Sequence, residues 1–168
     1  IFDFLMKTQN LKFGEVVKNL ANLAGMRPYT FSKKDEEREK NWQTYTSIYK
    51  KYINFYHDKL LNEKNLNIKD YLTKRNLNID QIKNFKIGYV NRDQNFYNEL
   101  LKEFDEKNVN ESGLFYFDDI KKKFIERFRD RIIFPINNLS GSPIALGGRI
   151  INDKGYLAKY INSPETNF

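Results

Sequence analysis

The sequence predicts an α+β fold, a helical N-terminal half followed by a small antiparallel or mixed β-sheet, and three observations carry that expectation. Apolar residues recur at helical spacing as far as residue 107. Past residue 130 the chain becomes β-branched and aromatic, which suits a pleated surface. Clusters of Asn, Ser, Asp and Gly then punctuate it at short intervals, as turns between strands do. Helices first and a meander of strands afterwards argue for an α+β unit. The 168 residues suffice for one ordinary domain, or for a small domain with an appendage.

In order along the chain, residues 1–25 read as helical. Phe13, Val16, Val17, Leu20, Ala21, Leu23 and Ala24 repeat at helical spacing, and Gly25 is a natural stop. A polar stretch from Arg27 to about Gln43 holds Pro28 and the charge run from Lys33 to Lys40. It is a solvated helix or a linker, and the boundary between two units is placed there, with residues 27–44 as the connection. From Tyr45 to Leu61, the residues Tyr45, Ile48, Tyr49, Tyr52, Ile53, Tyr56 and Leu60 form one broad stripe. A packing face accounts for it better than a base-stacking surface, and His57 beside it reads as a structural or surface histidine. Asn67 and Asn78 precede two short helices as side-chain caps, the second in a near capping box with Gln81. Phe96, Tyr97, Leu100, Leu101 and Phe104 mark another helical face.

The run Arg131–Ile136 reads as a strand, with Pro135 near its end or on an edge because proline cannot donate to a ladder. Asn137–Gly141 is a turn, and a second short strand follows around Ile144, Ala145 and Leu146. Asn152-Asp153-Lys154-Gly155 is a tight-turn signal, after which Tyr156 to Ile161 alternates as a third strand.

Composition narrows the function classes. Hydrophobic residues make up 40%, with 14 Phe and 11 Tyr, which excludes a disordered polyelectrolyte. The formal charge of +7 favours anionic partners, nucleic acid before an acidic membrane surface, unless the lysines serve only solubility. With no cysteine and one histidine, disulfides, thiolate zinc sites and a Ser-His-Asp triad find no support in these residues. The apolar runs are too short for a membrane span. Ile1-Phe2-Asp3-Phe4 lacks an initiator Met and a signal-peptide layout, and Asn167-Phe168 is an abrupt end, so both read as cuts through a longer protein.

The charge is concentrated. Residues 121–168 hold nine basic side chains against four acids, +5 of the total +7. On one extended strand Arg127, Arg129 and Arg131 would project to the same face, a ridge able to track phosphates because Arg forks match phosphate oxygens. Glu126 and Asp130 could instead neutralise their neighbours and leave an ordinary charged face. Gly147-Gly148-Arg149 presents two readings: glycines at a strand end that let a ligand approach and offer Arg149 to a phosphate, or a β-bulge with an exposed Arg. Its spacing fits neither a Walker loop nor a dinucleotide fingerprint. Ser163-Pro164-Glu165 could start a helix, although a plain turn accounts for it better. Asp118-Asp119 lacks the surroundings of a two-metal site, and a loop or cap explains it. The residues alone describe a basic binding module without a visible catalytic centre.

Five motifs in one order resemble a known family. Glu126-Arg127-Phe128-Arg129-Asp130-Arg131-Ile132-Ile133-Phe134-Pro135-Ile136, Gly141-x-x-Ile144-Ala145-Leu146-Gly147-Gly148-Arg149, and Lys159-Tyr160-Ile161-Asn162-Ser163-Pro164-Glu165-Thr166 resemble bacterial DnaG-type primases. Tyr71-Leu72-x-x-Arg75-x-Leu77 and Phe85-x-Ile87-Gly88-Tyr89 match the same family's core, and residues 4–17 look like the helical tail of its zinc-binding domain. The resemblance implies that residues 1–26 are that tail and that 45–168 are the basic N-terminal subdomain of the RNA polymerase core. It places the zinc ribbon and the acidic TOPRIM subdomain, with Zn2+ and Mg2+ or Mn2+ respectively, outside this sequence. No catalytic residue, metal ligand or cofactor is then expected within it.

By the same resemblance, the parent enzyme synthesises short RNA primers in the cytoplasm, at the nucleoid or replisome. This part binds single-stranded DNA, RNA–DNA hybrid and ribonucleotides through a shallow basic groove. The matching positions are Arg75, Arg127, Arg129, Arg131, Arg149 and Lys159, with Arg149 and Lys159 nearest the template–primer or incoming nucleotide. The replicative helicase would be met through a separate C-terminal domain, no membrane is involved, and a monomer is expected. Three alternatives stay open at this point: a phage or plasmid primase-like protein, a non-catalytic single-stranded nucleic-acid-binding domain, or a purely structural domain with a basic face. Some positions depart from the family pattern. Asn76 stands where Gly is usual, Leu146 replaces Phe, Asn137 and Asn138 replace an Arg-Asp pair, and Ser142 lies where a basic residue is frequent.

Overall fold

A computed structural model describes residues 1–27, 32–62, 66–151, 155 and 157–166. It resolves into two compact units, Ile1–Asn41 and Trp42–Phe168.

In the first unit the helical expectation for residues 1–25 divides in two. Helix α1 (Phe2–Gln9) ends where Asn10 takes a left-handed conformation with φ 51°, and α2 (Phe13–Leu23) begins three residues later. The break is chemical: Asn tolerates that conformation better than other side chains. Glu15 Oε2 accepts from Lys12 N at 2.7 Å and tops α2, while Gly25 at φ 64° stops the path. Phe2 and Phe13 hold α1 to α2, their ring centroids 5.6 Å apart.

Helix α3 (Lys33–Asn62) starts at Ser32, whose N–H and Oγ–H both donate to Asp35 Oδ2. Residues 33–44, within the stretch read as a solvated helix or linker, are thus its first turns. The tyrosine stripe is buried as the periodicity requires. Ile48, Tyr49, Tyr52, Tyr56 and Leu60 are all shielded from solvent. His57 is buried too, its Nδ1 2.8 Å from Ile87 O.

After α3 come α4 (Leu66–Thr73) and α5 (Ile79–Asn84). The Asn78–Gln81 capping box is present in both directions, at 2.8 and 3.0 Å. Asn67 does not cap from outside: α4 already includes it, and its Oδ1 accepts from the next residue's N–H. Strand β1 (Gly88–Val90) was not anticipated. It runs so close to α3 that a Cβ on Gly88 would lie 3.0 Å from the backbone of Tyr56 and His57. The helical face at Phe96–Phe104 contributes only α6 (Tyr97–Leu100), followed by α7 (Glu106–Glu111).

A hairpin of β2 (Phe115–Asp118) and β3 (Lys123–Glu126) forms its own two-stranded sheet, also unforeseen. Asp118 Oδ1 accepts from the N–H groups of Ile120 and Lys121 and so shapes its turn, which accounts for the Asp118-Asp119 pair. The expected sheet is β4 (Arg131–Asn137), β5 (Pro143–Ile150) and β6 (Tyr160–Asn162), to which β1 adds a fourth strand in the order β1-β4-β5-β6, all antiparallel. Pro135 sits beyond the reach of β1, which pairs only as far as Ile133, so its missing donor faces no broken ladder there. Asn138 Oδ1 gathers the N–H groups of Ser140 and Ser142 in the β4–β5 turn, and Gly141 closes it at φ 80°. The third strand is shorter than its alternation suggested. Of its turn, Asn152–Lys154 lie outside the described residues, as does Tyr156, and Gly155 has φ 77°. Ser163-Pro164-Glu165 starts no helix: Ser163 bonds back to Leu146 through its N–H (2.8 Å) and its Oγ (3.1 Å).

The two sheet faces serve different neighbours, because side chains alternate along each strand. Val90, Ile133, Leu146 and Ile161 join the α3 stripe in one cluster. Ile132, with Tyr89 and Phe134 beside it, packs with Leu60, Ile68, Leu72, Ile82 and Ile87.

Candidate nucleic-acid interface

Register places the basic side chains. Arg149 on β5 stands opposite Ile132 and Tyr160, and Ile132 stands opposite Tyr89, so these four cross the sheet in one row. Ile132 is buried under α4 and α5, while Tyr160 at the far end is 59% exposed. The row therefore passes from core to surface at Arg149. Its guanidinium carbon lies 5.0 Å from the centre of the Tyr160 ring and 5.7 Å from that of Tyr71, and Nη1 donates to the Tyr160 hydroxyl.

Tyr71 comes from α4, and its ring is shared. Arg75, one turn further on, places its guanidinium carbon 4.9 Å from the same ring centre. The turn that ends α4, in which Arg75 N donates to Leu72 O, carries the side chain back toward that ring. Tyr71 and Arg75, with Lys74 and Asn76, line an open depression. Asn76 carries φ 60°, so the turn accommodates a side chain because Asn adopts the left-handed region readily. Arg149 Nε is shielded from solvent and has no hydrogen-bond partner among the described residues. The arrangement offers two guanidiniums, aromatic faces and an unsatisfied donor within one small area, a chemistry suited to phosphates and bases.

The other sequence candidates are distributed differently. Arg127, Arg129 and Arg131 do not share a strand face. β3 stops at Glu126 and β4 begins at Arg131, with a turn between them in which Asp130 has φ 57°. Over these four residues the chain must leave the two-stranded sheet and enter the four-stranded one. Arg127 is half-buried, and its Nε donates to Gly113 O at 2.7 Å. Arg129 is half-buried and is one of the charges holding the Asp118 carboxyl below its ordinary range, after hydrogen bonds from the Lys121 and Ile120 amides. Arg131 is buried, and its two Nη atoms donate to the carbonyls of Ala158 and Lys159 at 2.8 and 3.3 Å. Lys159 is exposed, one register step from the Arg149–Tyr160 pair, on the side of Ile150 rather than that of Arg149.

The glycine pair is neither a strand end nor a bulge. β5 runs through Gly147 and Gly148 in register, and the one irregularity recorded between β4 and β5 falls at Ile136/Asn137. A Cβ on Gly148 would lie 2.4 Å from Phe128 Cδ1, so that glycine serves the core. On Gly147 it would meet Asn162 Oδ1 at 3.6 Å and Phe134 O at 4.0 Å, both ordinary contacts.

Glu126 does not neutralise the neighbouring arginines. It is 1% exposed and accepts from Tyr52 Oη (2.7 Å), Tyr56 Oη (2.5 Å) and Phe96 N (2.7 Å). Burial pushes its carboxyl up to about 7 even though all three donors pull the other way. The sequence held a signal for it: two tyrosines at i and i+4 on a buried stripe must find an acceptor for their hydroxyls. Tyr71 was noticed only as part of a motif, since nothing in one dimension says that β5 passes beneath it.

Comparison with known proteins assigns the family. The model of the DNA primase catalytic core, N-terminal domain, matches residues 55–168, and the chain belongs to that family. Among its relatives are the DNA primases of Enterococcus faecalis, 31% identical over 99% of this chain and 28% of the relative, and of Buchnera aphidicola subsp. Baizongia pistaciae, 33% identical over the same shares. A solved DnaG primase catalytic domain bound to ssDNA superposes with a TM-score of 0.66 at 29% identity, covering 77% of this chain and 41% of that one. The chain spans less than a third of the length of these relatives.

Proposed function

We propose that this chain is the template-facing part of a DNA primase, which synthesises short RNA primers on single-stranded DNA. The observation that carries the reading is the Arg75–Tyr71–Arg149–Tyr160 cluster at the open end of a sheet row, in a chain of the primase family. Guanidiniums bind backbone phosphates without regard to sequence, and exposed rings accept any base face. Such a surface holds a template while letting it advance.

Within this reading, Arg75 and Arg149 contact nucleic acid directly, and Lys159, just before β6 and on the side of Ile150, adds a phosphate contact of its own. Arg129 supports backbone binding. Arg127 and Arg131 act mainly through the scaffold, which their carbonyl partners favour. Residues 1–26 are assigned to the tail of a zinc-binding domain, 27–44 to the connection, and 45–168 to the N-terminal subdomain of the polymerase core. Among the described residues no group of three His, Cys, Asp or Glu side chains is placed to hold a metal ion. In this reading the Mg2+ or Mn2+ and the Zn2+ of the intact enzyme belong to its TOPRIM subdomain and its zinc ribbon. Ribonucleotides, RNA–DNA hybrid and the replicative helicase are the further partners of the intact, monomeric enzyme, which works in the cytoplasm. Among the described residues no helix is long and apolar enough to cross a membrane.

The test is a titration of labelled single-stranded DNA against the chain across a salt series, with wild type and an Arg149→Ala/Lys159→Ala variant. Wild-type affinity should fall steeply with salt, and the variant should bind more weakly with a shallower slope. Salt-independent binding, or a variant equal to wild type, would overturn the reading.

A further inference from the structure

The ring of Tyr71 lies beneath two guanidiniums delivered by different segments, Arg75 from the turn just after α4 and Arg149 from the far end of β5, one residue before Ile150. Two like charges that share one ring repel each other. The electron-rich ring offsets that repulsion, since a cation within about 6 Å of a ring centroid is attracted to it. Tyr160 grips Arg149 from a second direction through its ring and its hydroxyl. Arg149 Nε is meanwhile left without an acceptor. A guanidinium held on two rings with an unsatisfied donor is oriented before any ligand arrives, so less rotamer freedom is lost on binding.

We propose that Tyr71 is a positioning residue that couples Arg75 and Arg149 into one anion clamp, so that the two guanidiniums bind nucleic-acid phosphate as a unit. The proposal rests on the reading of this surface as a nucleic-acid contact. It explains why a tyrosine stands one helical turn before an exposed arginine although the ring is only half-buried. The ring also favours arginine over lysine at both positions, because a planar guanidinium stacks where an ammonium does not.

Two measurements on the 168-residue chain test it, with Tyr71→Phe and Tyr71→Leu compared. Phe keeps the ring, and Leu keeps apolar packing without it. The first is the Nε–Hε resonance of Arg149 by NMR, which reads its position with no nucleic acid present. It should be displaced by ring current in wild type and Y71F and should move to the free-arginine position in Y71L. The second is single-stranded DNA affinity in a cycle of Y71L, Arg75→Ala and Arg149→Ala. Y71L alone should weaken binding roughly fivefold to tenfold, the worth of a partly desolvated cation–π contact, while Y71F stays near wild type. In the R75A/R149A background Y71L should change nothing further. An unmoved Arg149 resonance in Y71L, or an undiminished effect in the double-alanine background, would overturn the coupling. If the resonance moves as expected but wild type shows no salt-dependent binding, the failure lies in the nucleic-acid reading and the anion clamp falls with it.

Discussion

Replacing Glu126 by Gln separates the two forces acting on the most buried acid of the core. The carboxylate is enclosed by Tyr52, Tyr56 and the Phe96 amide, with no cation among these partners. Hydrogen bonds from those donors favour the charged form, and burial disfavours it more strongly, so the folded pKa rises from 4.5 to about 7. Between those values the folded chain binds more protons than the unfolded one, so stability falls as pH rises. The contribution is fully present below pH 4.5 and is lost as pH rises through about 7. The shift corresponds to about 3 kcal/mol at 1.36 kcal/mol per pKa unit. Gln fits the same space: its carbonyl can accept from Tyr56 and Phe96, and its amide can donate to the Tyr52 oxygen. Urea unfolding of wild type and E126Q at intervals between pH 4.5 and 8 isolates the group by difference. The variant should gain on wild type by about 3 kcal/mol across the window. Parallel profiles would show that Glu126 does not titrate there. A gain in the opposite direction would show that the three donors outweigh burial.

Other outcomes follow from particular contacts. Gly148→Ala should destabilise the chain by about 1–3 kcal/mol, the usual range for an overpacked core, because the new methyl meets the Phe128 ring; Gly147→Ala, with only ordinary contacts, should leave the melting temperature nearly unchanged. Asn76→Ala should cost about 1 kcal/mol at φ 60°, whereas Asn76→Gly should stay within roughly half that; denaturant midpoints of the pair decide it.

The helical half was legible because burial there follows a period that sequence displays. The Tyr45–Leu60 stripe, the stop at Gly25 and the Asn78–Gln81 box are local facts, set by residues three or four apart. The strand at Arg131–Ile136 and the turn at Asn137–Gly141 were legible for the same reason. Strand β1 was not, since three residues carry too little pattern, and only the approach of α3 explains Gly88. The triplet Arg127, Arg129 and Arg131 misled because alternation holds only while a strand continues, and this chain changes sheets between Glu126 and Arg131.

What the sequence determined by itself was the class of fold, the excess of basic charge in the last third, and the family to which the motifs belong. Which arginines face outward was decided by tertiary structure. Arg131 is drawn inward to hold the carbonyls of Ala158 and Lys159, while Arg149, on the opposite side of the same sheet, emerges beside Tyr71 and Tyr160. The physical reason is that charge belongs to a residue, but exposure and partners belong to the packing of elements far apart in the chain.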